Sequence, residues 1–150
     1  MKRDKHLRQL SSDHHQALTL VRKIERFLSK GLDHTTLVSE VRQVFLSELS
    51  VHFDIEEQTL LPELEKIGES ALVERTINDH IEMRRLVQQL NELGNLASFA
   101  MRLKAHVRFE EQELFEACQT LLSANSLRAI GRACKTEQPS NRVTADRPAR

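Results

Sequence analysis

The chain has no tryptophan and no tyrosine, only two cysteines, and no surplus of charge of either sign. Each lack removes a class of function. Without tyrosine, chemistry that runs through a tyrosyl radical is excluded. Cys118 and Cys134 lack CxxC or other ligand spacing, so they read as free thiols without a role. Lys and Arg together number 22, as do Asp and Glu, so no overall field draws the chain to nucleic acid or to an anionic membrane. No apolar run approaches the length of a membrane span. The charged start Met1-Lys2-Arg3-Asp4-Lys5 is not followed by a signal-peptide stretch, and the expectation is a soluble cytoplasmic protein. There is no HExxH, which leaves a zinc-protease reading without support. At 150 residues the chain is long enough for one core but not for two independent ones.

What is present is a phrase written twice. His52-Phe53-Asp54-Ile55-Glu56-Glu57-Gln58-Thr59-Leu60 and His106-Val107-Arg108-Phe109-Glu110-Glu111-Gln112-Glu113-Leu114 both read H-x-x-x-E-E-Q-x-L. On a helix, an imidazole and a carboxylate four residues apart stand on one face about one turn apart, where both can grip one ion. An Asp-His pair precedes each copy, Asp13-His14 and Asp79-His80.

The midpoints between successive histidines fall on turn signals. Gly31-Leu32-Asp33 lies midway between His14 and His52, Gly68 just past the midpoint of His52 and His80, and Gly94-Asn95 at that of His80 and His106. A chain folding back at these points brings all four histidines and both glutamates to one level. At roughly 1.5 Å per residue each ligand lies on the order of 20–30 Å from its nearest turn, in mid-bundle.

Apolar residues recur at three- and four-residue intervals, which predicts helices. The first spans about 5–29, with Leu7, Leu10, Leu18, Val21, Ile24 and Leu28 around His14. The second spans about 34–65, with Leu37, Val41, Val44, Phe45, Leu49, Ile55 and Leu60 inside, and Pro62 predicts a kink or restart near its end. The third, about 69–93, turns Leu72, Val73, Ile77, His80, Met83, Val87 and Leu90 inward. The fourth, about 96–122, offers Phe99, Leu103, Val107, Leu114, Ala117 and Leu121. Ser126 reads as the N-cap of a short fifth helix reaching Lys135. No two-residue alternation competes. The prediction is an all-α, up-down-up-down antiparallel four-helix bundle over residues 1–135 with a short fifth C-terminal helix, followed by a disordered tail over 136–150.

A single helical histidine is most often structural. The argument here is collective: His14, His52, Glu56, His80, His106 and Glu110 all fall on stripes that otherwise carry Leu, Val and Phe, and such groups are costly to bury unless paired or metal-bound. His14 shares an arc with Leu10, Leu18 and Val21, whereas His15 falls on the polar side. His6 and His34 are read as surface residues. Glu57 and Glu111 lie roughly 100° around the helix from the primary glutamates and are read as solvated acids.

Four imidazoles and two carboxylates over-supply one ion and suit two, with the glutamates bridging. Iron, manganese and zinc all accept such ligands. Six protein ligands would leave positions for solvent or an exogenous small molecule. Phe53 and Phe109 would keep the surroundings dry, admitting diatomics more readily than bulky substrates. Ferritin-like bundles, by contrast, use Glu-x-x-His.

On the ordered set His14, His52-x-x-x-Glu56, His80, His106-x-x-x-Glu110, and on LSSDHHQAL, VHFDIEEQTLLPEL and VRFEEQELF, the chain resembles the bacterial hemerythrin-like proteins with the HHE cation-binding domain over about residues 5–135. The resemblance implies a four-helix bundle with a non-haem, oxo- or hydroxo-bridged di-iron centre that meets oxygen, peroxide or nitric oxide, in sensing or stress response. A second reading is an iron-binding module acting through a partner protein by way of the tail. Oxygen-carrying members of the family have a further histidine one turn from that of the third helix and a His-x-x-x-x-Asp spacing on the fourth. Here the positions four from His80 are Thr76 and Arg84, and the fourth-helix acid is Glu110. This departure favours redox reaction over reversible carriage.

Overall fold

The computed structural model describes residues 2–31, 34–92 and 94–136, which are helices joined by short turns, with no strand among them. The expected tail, apart from Thr136, lies outside the described residues, as do Leu32 and Asp33 of the first turn signal. Five helices follow in order. α1 is Arg8–Lys30. α2, over residues 35–66, consists of Thr35–Val44, Ser50–Ile55 and Leu61–Lys66 joined by π-helical turns Phe45–Leu49 and Glu56–Leu60. α3 is Ser70–Gln88. α4, over residues 95–121, joins Asn95–Phe109 to Phe115–Leu121 through a π-helical turn, Glu110–Leu114. α5 is Ala124–Thr136.

The ends follow local chemistry. α2 closes in a Schellman turn: Gly68 N–H reaches the Glu65 carbonyl at 3.1 Å and Glu69 N–H the Leu64 carbonyl at 3.0 Å. This needs the left-handed φ of 89° that Gly68 adopts without steric cost. The N-cap of α5 is Ser123 rather than the expected Ser126, because Ser123 Oγ accepts the Ser126 N–H at 3.1 Å. The Ser126 hydroxyl instead donates to Glu63 at 2.6 Å and ties α5 to α2.

The break expected at Pro62 takes the form of the π-turn just before it, in which Leu61 N–H bonds back to the Glu56 carbonyl five residues earlier. Proline is not its cause. The second copy has no proline and makes the same turn, with Phe115 N–H on the Glu110 carbonyl. Both widened turns begin at the glutamate of the repeated phrase.

The core divides into two apolar clusters. One holds Ala17–Ile24 positions of α1, Leu37 to Phe53 of α2, Met83 to Leu90 of α3 and Leu96 to Val107 of α4. The other holds Leu7 and Leu10, Ile55 to Leu64, Val73, and Phe109 to Cys118, covered by Leu127, Ile130 and Cys134 of α5. Along each of the first four helices the change from one cluster to the other occurs where a histidine stands. A polar layer therefore divides the core at mid-height. Ile77 and Leu121, expected inside, are exposed. On α3 the inward stripe runs Val73, Thr76, His80, Met83, and Ile77 stands one position off it; Leu121 ends α4, where Leu122 turns extended.

Candidate metal centre

Six residues make the polar layer: His14 from α1, His52 and Glu56 from α2, His80 from α3, and His106 and Glu110 from α4, all buried. His15 is exposed. Each HxxxE pair meets as its spacing predicts, with His52 Nε2 2.9 Å from Glu56 Oε2 and His106 Nε2 2.9 Å from Glu110 Oε2. The glutamates also reach across helices. Glu110 Oε1 lies 2.8 Å from His14 Nε2 and 3.2 Å from His52 Nε2, and Glu56 Oε1 lies 3.0 Å from His80 Nε2. All four imidazoles thus aim Nε2 at two fully buried carboxylates.

The outer nitrogens are as uniformly engaged. Nδ1 of His14 meets Glu111 at 2.6 Å, that of His52 meets Asp13 at 2.9 Å, that of His80 meets Glu57 at 2.6 Å, and that of His106 meets Asp79 at 2.9 Å. A carboxylate only accepts, so each Nδ1 carries its proton and donates, which fixes the ring and leaves Nε2 facing inward. The Asp-His pairs of α1 and α3 each use the aspartate on one neighbouring helix and the histidine on the other. The second glutamate of each phrase, expected to be solvated, is half-buried and completes this outer ring. The direction 100° away from Glu56 is the boundary with α3, where His80 waits; a single-helix projection does not show a neighbour's side chain.

Arginines and phenylalanines form a further layer. Arg3 holds Glu111 at 3.1 Å, Arg84 holds Glu57 at 2.8 Å, and Arg75 holds Asp79 at 3.2 Å. Phe53 lies nearly parallel to the His80 ring, centroids 4.0 Å apart, and Phe115 does the same to His14 at 5.4 Å. Phe109 stands 6.3 Å from His106. These rings close the layer against water.

Charge follows from this geometry. Burial pulls the His106 pKa down, but Glu110 and Asp79 outweigh it and hold the imidazolium up to about 10. His14, His52 and His80 are likewise raised, burial being overcome by their glutamate and aspartate partners. Glu57 is held down to about 2, chiefly by its hydrogen bond from His80. Glu111 is also held down to about 2, because hydrogen bonds from His14 and Ser11 override its burial.

The layer fits a cation. Glu56 Oε2, Glu110 Oε2 and His106 Nε2 are buried without a hydrogen-bond partner, and His106 Nε2 and Glu110 Oε2 approach to 2.9 Å without the angle a hydrogen bond needs. Buried polar atoms left unpaired are costly. Atoms that converge without bonding one another are arranged for a shared third atom. Donor atoms of Glu56, His80, His106 and Glu110 all lie within 4.8 Å of one another, as do those of His14, His52 and Glu110. Glu110 belongs to both groups.

The profile of the hemerythrin HHE cation-binding domain matches residues 5–118, most of the chain, and the protein belongs to that family. No curated protein and no solved structure matches it. The matched region takes in the whole polar layer and ends before α5. Cation binding is thus the family's stated property, and the buried His/Glu layer is a metal site in its chemistry. Among the described residues no helix is long and apolar enough to cross a membrane.

Proposed function

We propose that the polar layer holds two iron ions and that the protein binds or reacts with oxygen, peroxide or nitric oxide there, in sensing or stress response. His14, His52, His80 and His106 are the terminal ligands, and Glu56 and Glu110 bridge. The observation that carries this reading is the position of Glu110, whose carboxylate is approached by His14, His52 and His106 at 2.8–3.2 Å. A carboxylate shared by two donor groups is where a bridge belongs, and six ligands leave two ions with open positions. Manganese or zinc would accept the same ligands.

The bundle is inferred to run up-down-up-down. The two apolar clusters are met in opposite order on successive helices: α1 passes from the Leu10 cluster to the Ile24 cluster, α2 back again, and α3 and α4 repeat the alternation. The site is then a belt of four antiparallel helices, with residues 1–135 as its domain.

Iron bound here would supply a redox centre for a small ligand. The chain's own share is positional. Outer carboxylates hold each imidazole in one tautomer and raise its basicity, and Phe53, Phe109 and Phe115 exclude bulk water. Thr76, one turn from His80 on the same face, is buried with its hydroxyl turned back on the Leu72 carbonyl at 2.8 Å, and brings no ligand. The position one turn before His80 therefore adds no ligand to the set, and the absence of a further protein ligand there favours reaction over carriage.

Metal analysis of aerobically prepared protein, with optical spectra before and after oxygen, peroxide and nitric oxide, tests the proposal. Close to two iron per chain and near-ultraviolet charge-transfer bands are expected, both lost in Glu110→Ala. A folded chain that takes up no iron, or a Glu110→Ala variant that keeps both ions, would overturn it.

A further inference from the structure

A second site lies away from the polar layer, between the segment that leads into α1 and the outer face of α5. It is a pocket of about 500 Å³ walled by Lys5, His6, Arg8, Arg128, Arg132 and Lys135. Its remaining lining, Gln9, Gly131 and Cys134, is neutral, and among the described residues no carboxylate lines it. In a chain whose formal net charge is zero, this is a local concentration of cations.

The placement is built by helical spacing. Residues 128, 132 and 135 recur at intervals of four and three, so Arg128, Arg132 and Lys135 stand on one face of α5; positions 5 and 8 put Lys5 and Arg8 opposite. Gly131 lets the two walls approach, since a Cβ there would lie 2.8 Å from His6 Nδ1. His6, expected on the open surface, is half-buried for this reason. Among the described residues Lys5, Arg8 and Arg132 make no ion pair, and Arg128 donates only to the neutral Asn125 side chain. Asp4, the nearest acid in sequence, is engaged by the His6 backbone N–H at 2.8 Å and is not part of the wall. Like charges one turn apart repel. An anion held among Lys5, Arg8 and Arg132 would relieve that repulsion.

We infer that this pocket binds a small, multiply charged phosphate-bearing anion. The guanidinium forks of Arg8, Arg128 and Arg132 with the Lys5 ammonium suit terminal oxygens that accept bidentate hydrogen bonds, and a di- or triphosphate places enough charge in a small volume to match them. The volume lies within the range of small-molecule sites. The shared chemistry is the phosphoanhydride group, carried by free pyrophosphate or by a nucleotide.

Calorimetric titration of the full chain with inorganic pyrophosphate, ADP and adenosine tests this. Pyrophosphate and ADP are expected to saturate at one per chain, with adenosine silent. Binding of ADP more than tenfold tighter than pyrophosphate assigns the site to a nucleotide, and equal binding assigns it to the free anion. Arg8→Gln with Arg132→Gln, both exposed, should weaken binding at least tenfold without lowering Tm; Lys5→Gln with Arg128→Gln is the second pair. Heat that does not saturate, or affinity unchanged in both pairs, would overturn the inference. Iron content should not change in either pair, so this outcome and that of the metal proposal are read separately.

Discussion

Replacing Glu57 by glutamine removes one negative charge from the outer ring while keeping an oxygen to accept the His80 Nδ1–H. Glu57 takes that bond at 2.6 Å and is held down to about 2 from an ordinary 4.5, first by His80 and then by Arg84. At about 1.4 kcal/mol per unit, the gap corresponds to about 3 kcal/mol before solvent screening. The side chain is 30% exposed and divides its charge between His80 and Arg84, so the share felt by His80 is on the order of 1–1.5 kcal/mol. That is roughly a tenfold loss of metal affinity, at the lower end of the ~10–100-fold cost of removing an outer-shell partner. A second effect opposes it. The same substitution makes His80 easier to deprotonate, which reduces proton competition for Nε2 at neutral pH and matters less at alkaline pH. The deficit of Glu57→Gln should therefore grow between about pH 7 and pH 9 in competition assays against a metal chelator. Glu65→Gln, an exposed acid on the same helix, serves as the control. Equal affinity of Glu57→Gln and wild type at both pH values would show that the outer ring does not support the ligands.

Metal-free protein should lose stability as pH rises. His106 has its pKa raised above the unfolded value near 6.5 to about 10 despite burial, so its contribution is full below about 6.5 and lost as pH passes 10; Tm of chelator-treated protein that stays flat from pH 6.5 to 10 would contradict this. Phe115→Ala removes a fully buried ring stacked on His14 and should cost about 3–5 kcal/mol in urea denaturation. A loss below 1 kcal/mol would mean the ring is not packed as described. Gly68→Ala forces a left-handed φ of 89° on a residue with a Cβ and should cost about 1 kcal/mol, read as a few degrees in Tm, although nothing lies within 4 Å of the added atom. An unchanged Tm would refute strain at the Schellman turn.

The helices were legible because Leu, Val and Phe recur with helical period, and the level of the site was legible because its four histidines are spaced symmetrically about glycine turns. The outer ring was not read. Glu57 and Glu111 looked solvated because a helical projection refers each side chain to its own axis, while their partners His80 and His14 sit on other helices. A signal was nevertheless present: Asp stands directly before His14 and His80, and a second Glu directly after Glu56 and Glu110. Doubling a charged residue in both copies is what a layer needs when every imidazole must be satisfied at both nitrogens. The π-turns had no comparable signal. Pro62 marked a break in the first copy for a reason absent from the second, and the turn common to both begins at the buried glutamates themselves.

The inner groups repeat across the two halves, but their supports do not, and the difference bears on chemistry. Asp13 and Asp79 occupy matching positions and accept the Nδ1–H of His52 and of His106 alike. Four residues before each stands a different side chain: Gln9 gives Asp13 a neutral amide at 2.9 Å, whereas Arg75 gives Asp79 a guanidinium at 3.2 Å, with Arg102 at 3.8 Å. A carboxylate neutralised from outside raises the basicity of its histidine less than one that is not. The stacking differs too, with Phe53 4.0 Å from His80 and Phe115 5.4 Å from His14. Four residues before His14 stands Leu10, and four before His80 stands Thr76. The outer support is thus less neutralised beside His52 than beside His106, and on the His80 side the matching leucine is replaced by a small polar residue. If the layer holds two ions as proposed, equal ligand types with unequal support suit the two halves to unequal tasks.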